Sequence, residues 1–277
     1  MLPWNYGFHW TAGTVIFLGA FYTVLVVILS TLANALWRSW RDVRFEKAEA
    51  LRWMSDFHDL PARDRSCRHE LTGDVKVRKC PHAFDCRICE LHPKFMARQR
   101  PESRQATPES EIFGLPFPLD RLYHRGHAWV RPEPDGTIAV GLDELGKRLI
   151  GEPDAVDLPP VGARIQANGT AWRMQKRGAD FRVLAPVGGE VIVVGGQDQE
   201  WYLKVRPEDQ PPDTRHLLAP HEVKPWVMRE LERMQIALGA RALGASLADG
   251  GVPVADIAAA CPNADWDAVC GEMFLEP

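Results

Sequence analysis

Three cysteines and two histidines fall within thirteen residues of the sequence, in the stretch CPHAFDCRICELH at positions 80–92. A fourth cysteine lies upstream and completes the spacing C-x12-C-x5-C-x2-C. The C-x2-C step allows two thiolates to bind one ion from a single turn, and the other two cysteines can complete a tetrahedron. The spacing therefore predicts a metal site with four thiolate ligands, which are Cys67, Cys80, Cys86 and Cys89.

Three kinds of chemistry fit these cysteines. Zinc is the leading prediction, because it is redox-inert and is the metal most typical of such a site. An iron–sulfur cluster would use the same thiolates, although this spacing matches no ferredoxin signature. Disulfides or a thiol switch are the third alternative, and they depend on the compartment, because disulfides rarely persist in a reducing cytoplasm.

Neighbouring residues extend this predicted site. His82 and His92 are candidates for substitute ligands, since Cys86-x2-Cys89-x2-His92 is also a workable spacing. Four basic residues are expected to surround the cysteines and to offset the negative charge of a thiolate-bound metal. They are Lys76, Arg78, Lys79 and Arg87.

The N-terminal part of the chain has the character of a membrane anchor. The first 37 residues carry no charged side chain, and residues 12–36 are mostly apolar. A helix of this length extends about 37 Å, which is enough to cross roughly 30 Å of hydrocarbon. Aromatic residues flank the run, and Arg38, Arg41 and Arg44 follow it. The positive-inside rule then predicts a single-pass protein of the inner (plasma) membrane, with its N-terminus outside and the bulk of the chain in the cytoplasm.

A cleaved signal peptide is the alternative interpretation of this run. No basic residue precedes it, however, and it is longer than a typical signal core, so an uncleaved anchor is favoured. If the run were a signal peptide, two disulfides would become the better prediction for the four cysteines.

The predicted fold class is α+β, in five segments that differ in composition. These are a transmembrane and juxtamembrane helical part (1–60), a cysteine-rich metal-binding segment (61–96), a solvated linker (97–117), a β module (118–207) and a small, acidic C-terminal helical cap (214–277). Short β-branched runs separated by Gly, Pro and Asp predict the strands of the module, and Asp135-Gly136 predicts a hairpin turn. In the cap, residues 225–243 and the sequence DWDAVCGEMFLEP have helical periodicity.

The β module resembles the H protein of the glycine cleavage system, a small β-sandwich that carries a lipoyl group. The likeness rests on His127-Ala128-Trp129, on an ungapped match from Gly141 to Gly162, and on APVGGEVIVV followed by EWYLKVRP. It covers about 90 of the 277 residues and implies a barrel-sandwich hybrid fold. The sequence FDCRIC also resembles a cysteine segment that precedes the module in some H-protein-like sequences, a likeness that implies no activity.

The resemblance breaks down at the lipoyl attachment site. In the family, a lysine at the tip of a β-hairpin, within the motif Glu-Ser-Val-Lys-Ala, carries the swinging lipoyl arm. Counting back from Pro186 places Gly178 where that lysine would stand. Lys176, two positions earlier, is the one candidate for lipoyl attachment, but the Glu and Ser of the motif are missing and Arg177-Gly178 is typical of an ordinary turn. Lipoate is therefore not expected.

These features favour a membrane-anchored, non-catalytic accessory or docking subunit of a membrane assembly, with a respiratory assembly as one candidate. The expected partners are other membrane subunits and lipid. Neither nucleic acid nor a small-molecule substrate is expected, because the net charge is −4 and no nucleotide-binding glycine loop or nucleophile elbow occurs. Two alternatives remain open: a membrane-tethered lipoyl carrier modified at Lys176, and an iron–sulfur electron-transfer protein.

Overall fold

A computed structural model describes residues 11–44, 47–98, 110–196, 199–239 and 252–277. The chain forms two compact units, Met1–Ala48 and Glu49–Pro277. The predictions that concern the first ten residues, most of the linker and residues 240–251 of the C-terminal cap lie outside the described residues.

The first unit contains helix α1, Ala12–Arg44. Its stretch Ala12–Trp37 has a mean hydropathy of 2.5 and no buried residue. By length and composition this helix could cross a membrane, which is the coarser part of the anchor prediction. A signal sequence near the N-terminus can pass the same test of length and composition.

After α1, helices come first, a run of short strands interrupted by one helix comes next, and further helices follow. In chain order they are α2 (Lys47–Asp59), α3 (Arg68–Leu71), α4 (His92–Arg98), β1 (Glu111–Ile112), β2 (Leu115–Pro116), β3 (Leu122–Tyr123), β4 (Ala128–Pro132), β5 (Ile138–Leu142), α5 (Glu144–Ile150), β6 (Ala155–Asp157), β7 (Arg164–Ile165), β8 (Thr170–Lys176), β9 (Ala179–Leu184), β10 (Gly189–Val194), β11 (Leu203–Pro207), α6 (Pro220–Leu238), α7 (Ile257–Ala260) and α8 (Trp266–Phe274).

Two sheets form the β module. The larger sheet has the order β3-β4-β5-β11-β10-β7, and the smaller one has the order β6-β8-β9. Both contribute to one hydrophobic core, in which the Trp172 ring of β8 stacks on the Tyr202 ring beside β11 with centroids 4.9 Å apart. Strands β4 and β5 pair antiparallel across Asp135-Gly136, which confirms the predicted hairpin, and Gly136 supplies the positive φ that its turn requires.

The C-terminal helices share the core of the β module. Helix α8 buries the predicted apolar stripe, and Phe274 stacks on Phe181 of β9 with a centroid distance of 4.6 Å. Helix α6 begins at Pro220, five residues before the predicted start at Pro225. The earlier start follows from the Glu222 carboxylate, which accepts the backbone N–H of Ala219 at 2.8 Å and so caps the helix.

Buried ion pairs join the N-terminal part of the second unit to the rest of it. The guanidinium of Arg68, at the start of α3, is bound to both carboxylate oxygens of Glu222 on α6, one of them at 3.0 Å. The side chains of both residues are at most 9% exposed. Arg182 of β9, which is fully buried, donates from Nη2 to one carboxylate oxygen of Asp56 on α2. The charged groups therefore fix how the cysteine-rich segment and α2 pack against the module.

We expect Glu222→Ala to lower the free energy of unfolding of the full chain by about 3–5 kcal/mol, because it leaves the Arg68 guanidinium buried without a counterion. It also removes the helix cap. The matched control is Glu190→Ala, which breaks the exposed Glu190–Arg206 pair and should cost at most about 1 kcal/mol. The measurement is urea unfolding in detergent, monitored by tryptophan fluorescence. Equal shifts of the urea midpoint in the two variants would contradict the structural role of the buried pair.

Candidate metal centre and lipoyl hairpin

A short antiparallel bridge brings the first two cysteines together. Ser66 and Lys79 face each other across this bridge. On either side of it, the N–H of Cys67 donates to the carbonyl of Arg78 and the N–H of Cys80 donates to the carbonyl of Arg65, both at 2.7 Å. The twelve residues between the two cysteines therefore form a closed loop, and the two thiols lie on adjacent strands.

Two consecutive turns place the remaining donors on one face. The N–H of Cys89 donates to the carbonyl of Cys86 at 3.4 Å, and the N–H of His92 donates to the carbonyl of Cys89 at 3.2 Å. Side chains three residues apart in such turns are nearly eclipsed. Cys86, Cys89 and His92 therefore point in a similar direction, and all three line one cavity.

The four predicted cysteines line one small cavity of about 20 Å³, together with His92. All four thiols are free. Among the described residues, no group of three or more His, Cys, Asp or Glu side chains is arranged to hold a metal ion. The structure thus gathers the predicted ligands around a common cavity, and the metal site itself stays a prediction.

Burial governs the chemistry of these thiols. It raises the pKa of Cys86 to about 12, and it also raises the pKa of Cys67. A thiolate in this environment needs a nearby positive charge, because desolvation penalises the anion. A metal ion would supply that charge and would deprotonate its thiol ligands on binding.

Three arginines line the cavity, and they differ from the predicted basic set. Of the four basic residues predicted to surround the cysteines, only Arg78 lines the cavity, and its Nη2 donates to the Cys89 sulfur at 3.8 Å. Arg87 is instead paired with Asp85 and lines a different cleft. The other two cavity arginines are Arg68 and Arg125.

Arg125 could not have been assigned to this site from the sequence. It belongs to the β module, 58 positions after Cys67, and lies within the segment HRGHAW that matches the H-protein family. Its guanidinium lies over the Phe84 ring, 3.9 Å from the centroid, and its Nη1 donates to the carbonyl of Ser66 at 2.5 Å. Burial lowers the pKa of Arg125 to about 10, so it remains cationic at neutral pH. The module thus contributes a buried positive charge to the cysteine-rich segment.

The two candidate histidines occupy different environments. His92 is 5% exposed and lines the thiol cavity, whereas His82 is half-buried and lines the separate cleft that contains Arg87. His69 lies beside His92, and its Nε2 is 3.0 Å from His92 Nδ1. The Nδ1 atom of His69 is 2.7 Å from an Asp74 carboxylate oxygen. Sequence reasoning missed this chain of groups, because nothing in the spacing of residues 69, 74 and 92 links them.

The hairpin that would carry a lipoyl group has a two-residue tip without a lysine. Strands β8 and β9 are joined by Arg177 and Gly178, which have φ values of +50° and +85°. Positive φ at both central positions is typical of a type I′ turn, in which glycine is favoured. Gly178 therefore fits the turn that the sequence predicted at the position of the family's lysine.

Lys176 is the last residue of β8 and does not extend from the hairpin. It is 8% exposed, and its Nζ donates to the carbonyl of Glu152. The backbone next to it is also held in place, since the N–H of Arg177 donates to the Asp154 carboxylate at 2.6 Å and the N–H of Asp154 donates to the carbonyl of Gln175 at 2.8 Å. The amine is therefore engaged inside the fold.

Comparison with known proteins agrees with this architecture. Residues 121–200 match the family described as glycine cleavage H-protein. The glycine cleavage system H protein of Pseudoalteromonas atlantica is 42% identical over 78 residues, which cover 28% of this chain and 60% of that protein. The H protein of Citrobacter koseri is 38% identical over 77 residues, with the same coverage. A crystal structure of the H protein from Mycobacterium marinum aligns with 41% of this chain and 98% of that one, at 22% identity and a TM-score of 0.34.

This chain therefore contains an H-protein-like module, as predicted. It spans about 60% of the length of the curated relatives that it matches, and the match covers 28% of its own length. The match assigns the β module to the H-protein-like class. The cysteine-rich segment, helix α1 and the C-terminal helices α6, α7 and α8 lie outside the matched residues.

We expect intact-mass analysis of the protein, expressed in cells with active lipoylation, to show no lipoyl group. Lys176 is buried and hydrogen-bonded, and the hairpin tip carries glycine instead of lysine. Lys176→Arg should therefore have the mass expected from the substitution alone. The glycine cleavage H protein of the same cells serves as the positive control, and a lipoyl mass that disappears in Lys176→Arg would contradict this expectation.

Proposed function

We propose that this protein is a membrane-anchored, non-catalytic docking subunit of a membrane assembly, and that its own hairpin excludes it from carrier chemistry. The observation that carries the proposal is the state of that hairpin, where Gly178 occupies the tip and the Lys176 amine is bound to Glu152. A carrier needs a modified side chain that can swing between partners. A module without one retains the fold as a rigid surface for binding, which is a common fate of a widely used fold.

Helix α1 supports the membrane part of this proposal. Helix α1 is long and apolar enough to span one, and Arg38, Arg41 and Arg44 follow its apolar stretch. On the positive-inside rule, the N-terminus is outside and the module is in the cytoplasm of an inner (plasma) membrane. The partners are then other membrane subunits, with a respiratory assembly as one candidate, while nucleic acid and small-molecule substrates play no part.

We further propose that the thiol cavity holds a metal centre, with zinc as its occupant. The four cysteines share the cavity, and its volume of about 20 Å³ is room for little more than one water-sized sphere, which suits a single ion. Four thiolates on one Zn²⁺ carry a net charge of −2. Two buried arginine nitrogens at the cavity, Arg78 Nη1 and Arg125 Nε, have no hydrogen-bond acceptor within the described part of the chain, and metal-bound thiolates would offer them negative charge.

Electron transfer through an iron–sulfur cluster is the second candidate function. It uses the same four cysteines, and the cationic residues around them, Arg68, Arg78 and Arg125, would equally stabilise an anionic cluster. The lipoyl-carrier alternative is less favoured, since it requires Lys176 to leave its buried position.

The docking function is tested by purification from native membranes through a C-terminal affinity tag. We expect the protein to co-purify in a fixed ratio with membrane subunits and without glycine cleavage enzymes, because it has an anchor and no carrier lysine. The control is the glycine cleavage H protein of the same cells, tagged in the same way. Recovery of the protein alone, or only with lipoate-dependent enzymes, would argue against the docking function.

The metal centre is tested by cysteine substitution in the full chain. We expect the wild type to be colourless and to bind one zinc per chain, and Cys86→Ser to lose stoichiometric zinc and to become protease-sensitive between residues 60 and 95. The effect should stay local, because the β module has its own core. Cys270→Ser is the matched control, since Cys270 is equally buried but lies in α8, away from the cavity.

Two results would change this assignment. A brown protein that contains iron and acid-labile sulfide would favour an iron–sulfur cluster, and therefore the electron-transfer function. A metal-free native protein with equal protease resistance before and after Cys86→Ser would remove both metal hypotheses.

A further inference from the structure

Hydrogen bonds that link Asp74, His69 and His92 determine which ring nitrogen of His92 carries a lone pair. The Asp74 carboxylate accepts a hydrogen bond from the Thr72 hydroxyl at 2.8 Å and has the His69 ring at 2.7 Å. A carboxylate can only accept, so in the neutral ring the proton of His69 lies on Nδ1 and its Nε2 has the lone pair. That lone pair accepts the Nδ1–H of His92 at 3.0 Å. The neutral His92 ring then keeps its own lone pair on Nε2.

This arrangement matches the surroundings of a metal-bound histidine. Histidine ligands in proteins usually donate their second ring N–H to a carboxylate, a carbonyl or water, which fixes both the tautomer and the orientation of the ring. Here an Asp74–His69 pair does so for His92. Packing also holds the ring. The ring centroids of His69 and His92 are 5.2 Å apart, and the ring centroids of His69 and Phe95 are 4.7 Å apart.

The position of His92 places it with the thiols. It lines their cavity, and it follows Cys86 and Cys89 in two successive turns whose hydrogen bonds put the three side chains on one face. His69 also lines the cavity, but both of its ring nitrogens are engaged, by Asp74 and by His92. The four cysteines and His92 therefore give five possible donors, one more than a tetrahedral zinc ion takes.

We propose that His92 is a ligand of the metal centre through Nε2, so that the centre has one imidazole and three thiolates, and that Asp74 and His69 act as positioning residues for it. The inference rests on the proposed metal site and specifies its ligands. It also alters the charge of the centre, because three thiolates and a neutral imidazole on Zn²⁺ carry a net charge of −1 instead of −2. One of the four cysteines is then not required for coordination.

The test uses the full chain in detergent, loaded with Zn²⁺, and compares the wild type with His92→Ala, Asp74→Asn and the control His82→Ala. His82 has the same residue type, lies in the same loop and lines the other cleft. We expect His92→Ala to weaken zinc binding in a chelator competition by at least about 100-fold. Asp74→Asn should weaken it by about 10–100-fold, as is typical when an outer hydrogen-bonding partner of a ligand is lost. His82→Ala should bind as the wild type does.

A spectroscopic measurement separates coordination from a merely structural role. In X-ray absorption at the zinc edge, the wild type should show three sulfurs at about 2.3 Å and one nitrogen at about 2.0–2.1 Å with the outer scattering of an imidazole. That imidazole signal should vanish in His92→Ala. Among the four single Cys→Ser variants, one should retain stoichiometric zinc.

The failure of this inference is distinguishable from failure of the metal site itself. Four sulfurs and no imidazole in the wild type, or an unchanged imidazole signal in His92→Ala, would overturn the role of His92 while leaving the metal centre intact. A wild-type protein that binds no zinc in the competition would overturn both proposals.

Discussion

The part of the chain that follows the N-terminal unit depends on arginines that are buried against carboxylates. Arg68 binds Glu222, Arg182 binds Asp56, and Arg233 of α6 lies 3.1 Å from the buried Asp64. Each pair joins elements that are far apart in sequence. Buried ions are costly to desolvate, and a missing partner is costlier still, so such pairs tolerate few alternative arrangements. This constraint fixes where the cysteine-rich segment lies, and therefore which module residues reach its thiols.

A second link between the same parts is apolar. Phe84, within the cysteine-rich segment, packs against Phe57 of α2 with a centroid distance of 4.9 Å, and Arg125 of the module covers its ring. The residues of this small cluster come from α2, from β9 and from the C-terminal Leu275. The cysteine-rich segment is therefore not held by its cysteines alone. A metal would add local order to a segment that already has an apolar contact with the module.

The H-protein-like module illustrates how a fold can persist while its attachment site changes. Its core is complete, with buried Trp129, Trp172 and Phe181. At the β8–β9 hairpin, a type I′ turn with Gly178 replaces the residue that would carry a lipoyl arm. Since the core and the tip are separate features, the tip can change without loss of the sandwich. The module also contributes to the added cysteine-rich segment, because Arg125 lines the thiol cavity from within the module.

The sequence alone determined those features that depend on local pattern. The mostly apolar stretch of helix α1, the Asp135-Gly136 hairpin, the stripe of α8 and the H-protein-like match could all be predicted, because hydrophobic period, turn residues and family motifs are encoded over short spans. The grouping of four cysteines around one cavity was predictable for the same reason.

The charges and the hydrogen-bond partners at that cavity depend on tertiary contacts. Arg125 and Asp74 have no spacing that relates them to the cysteines, and local pattern does not reveal that the Lys176 amine is bound to the Glu152 carbonyl. Such contacts arise between segments that meet only after folding, and burial, which sets their energetics, is a property of the whole fold.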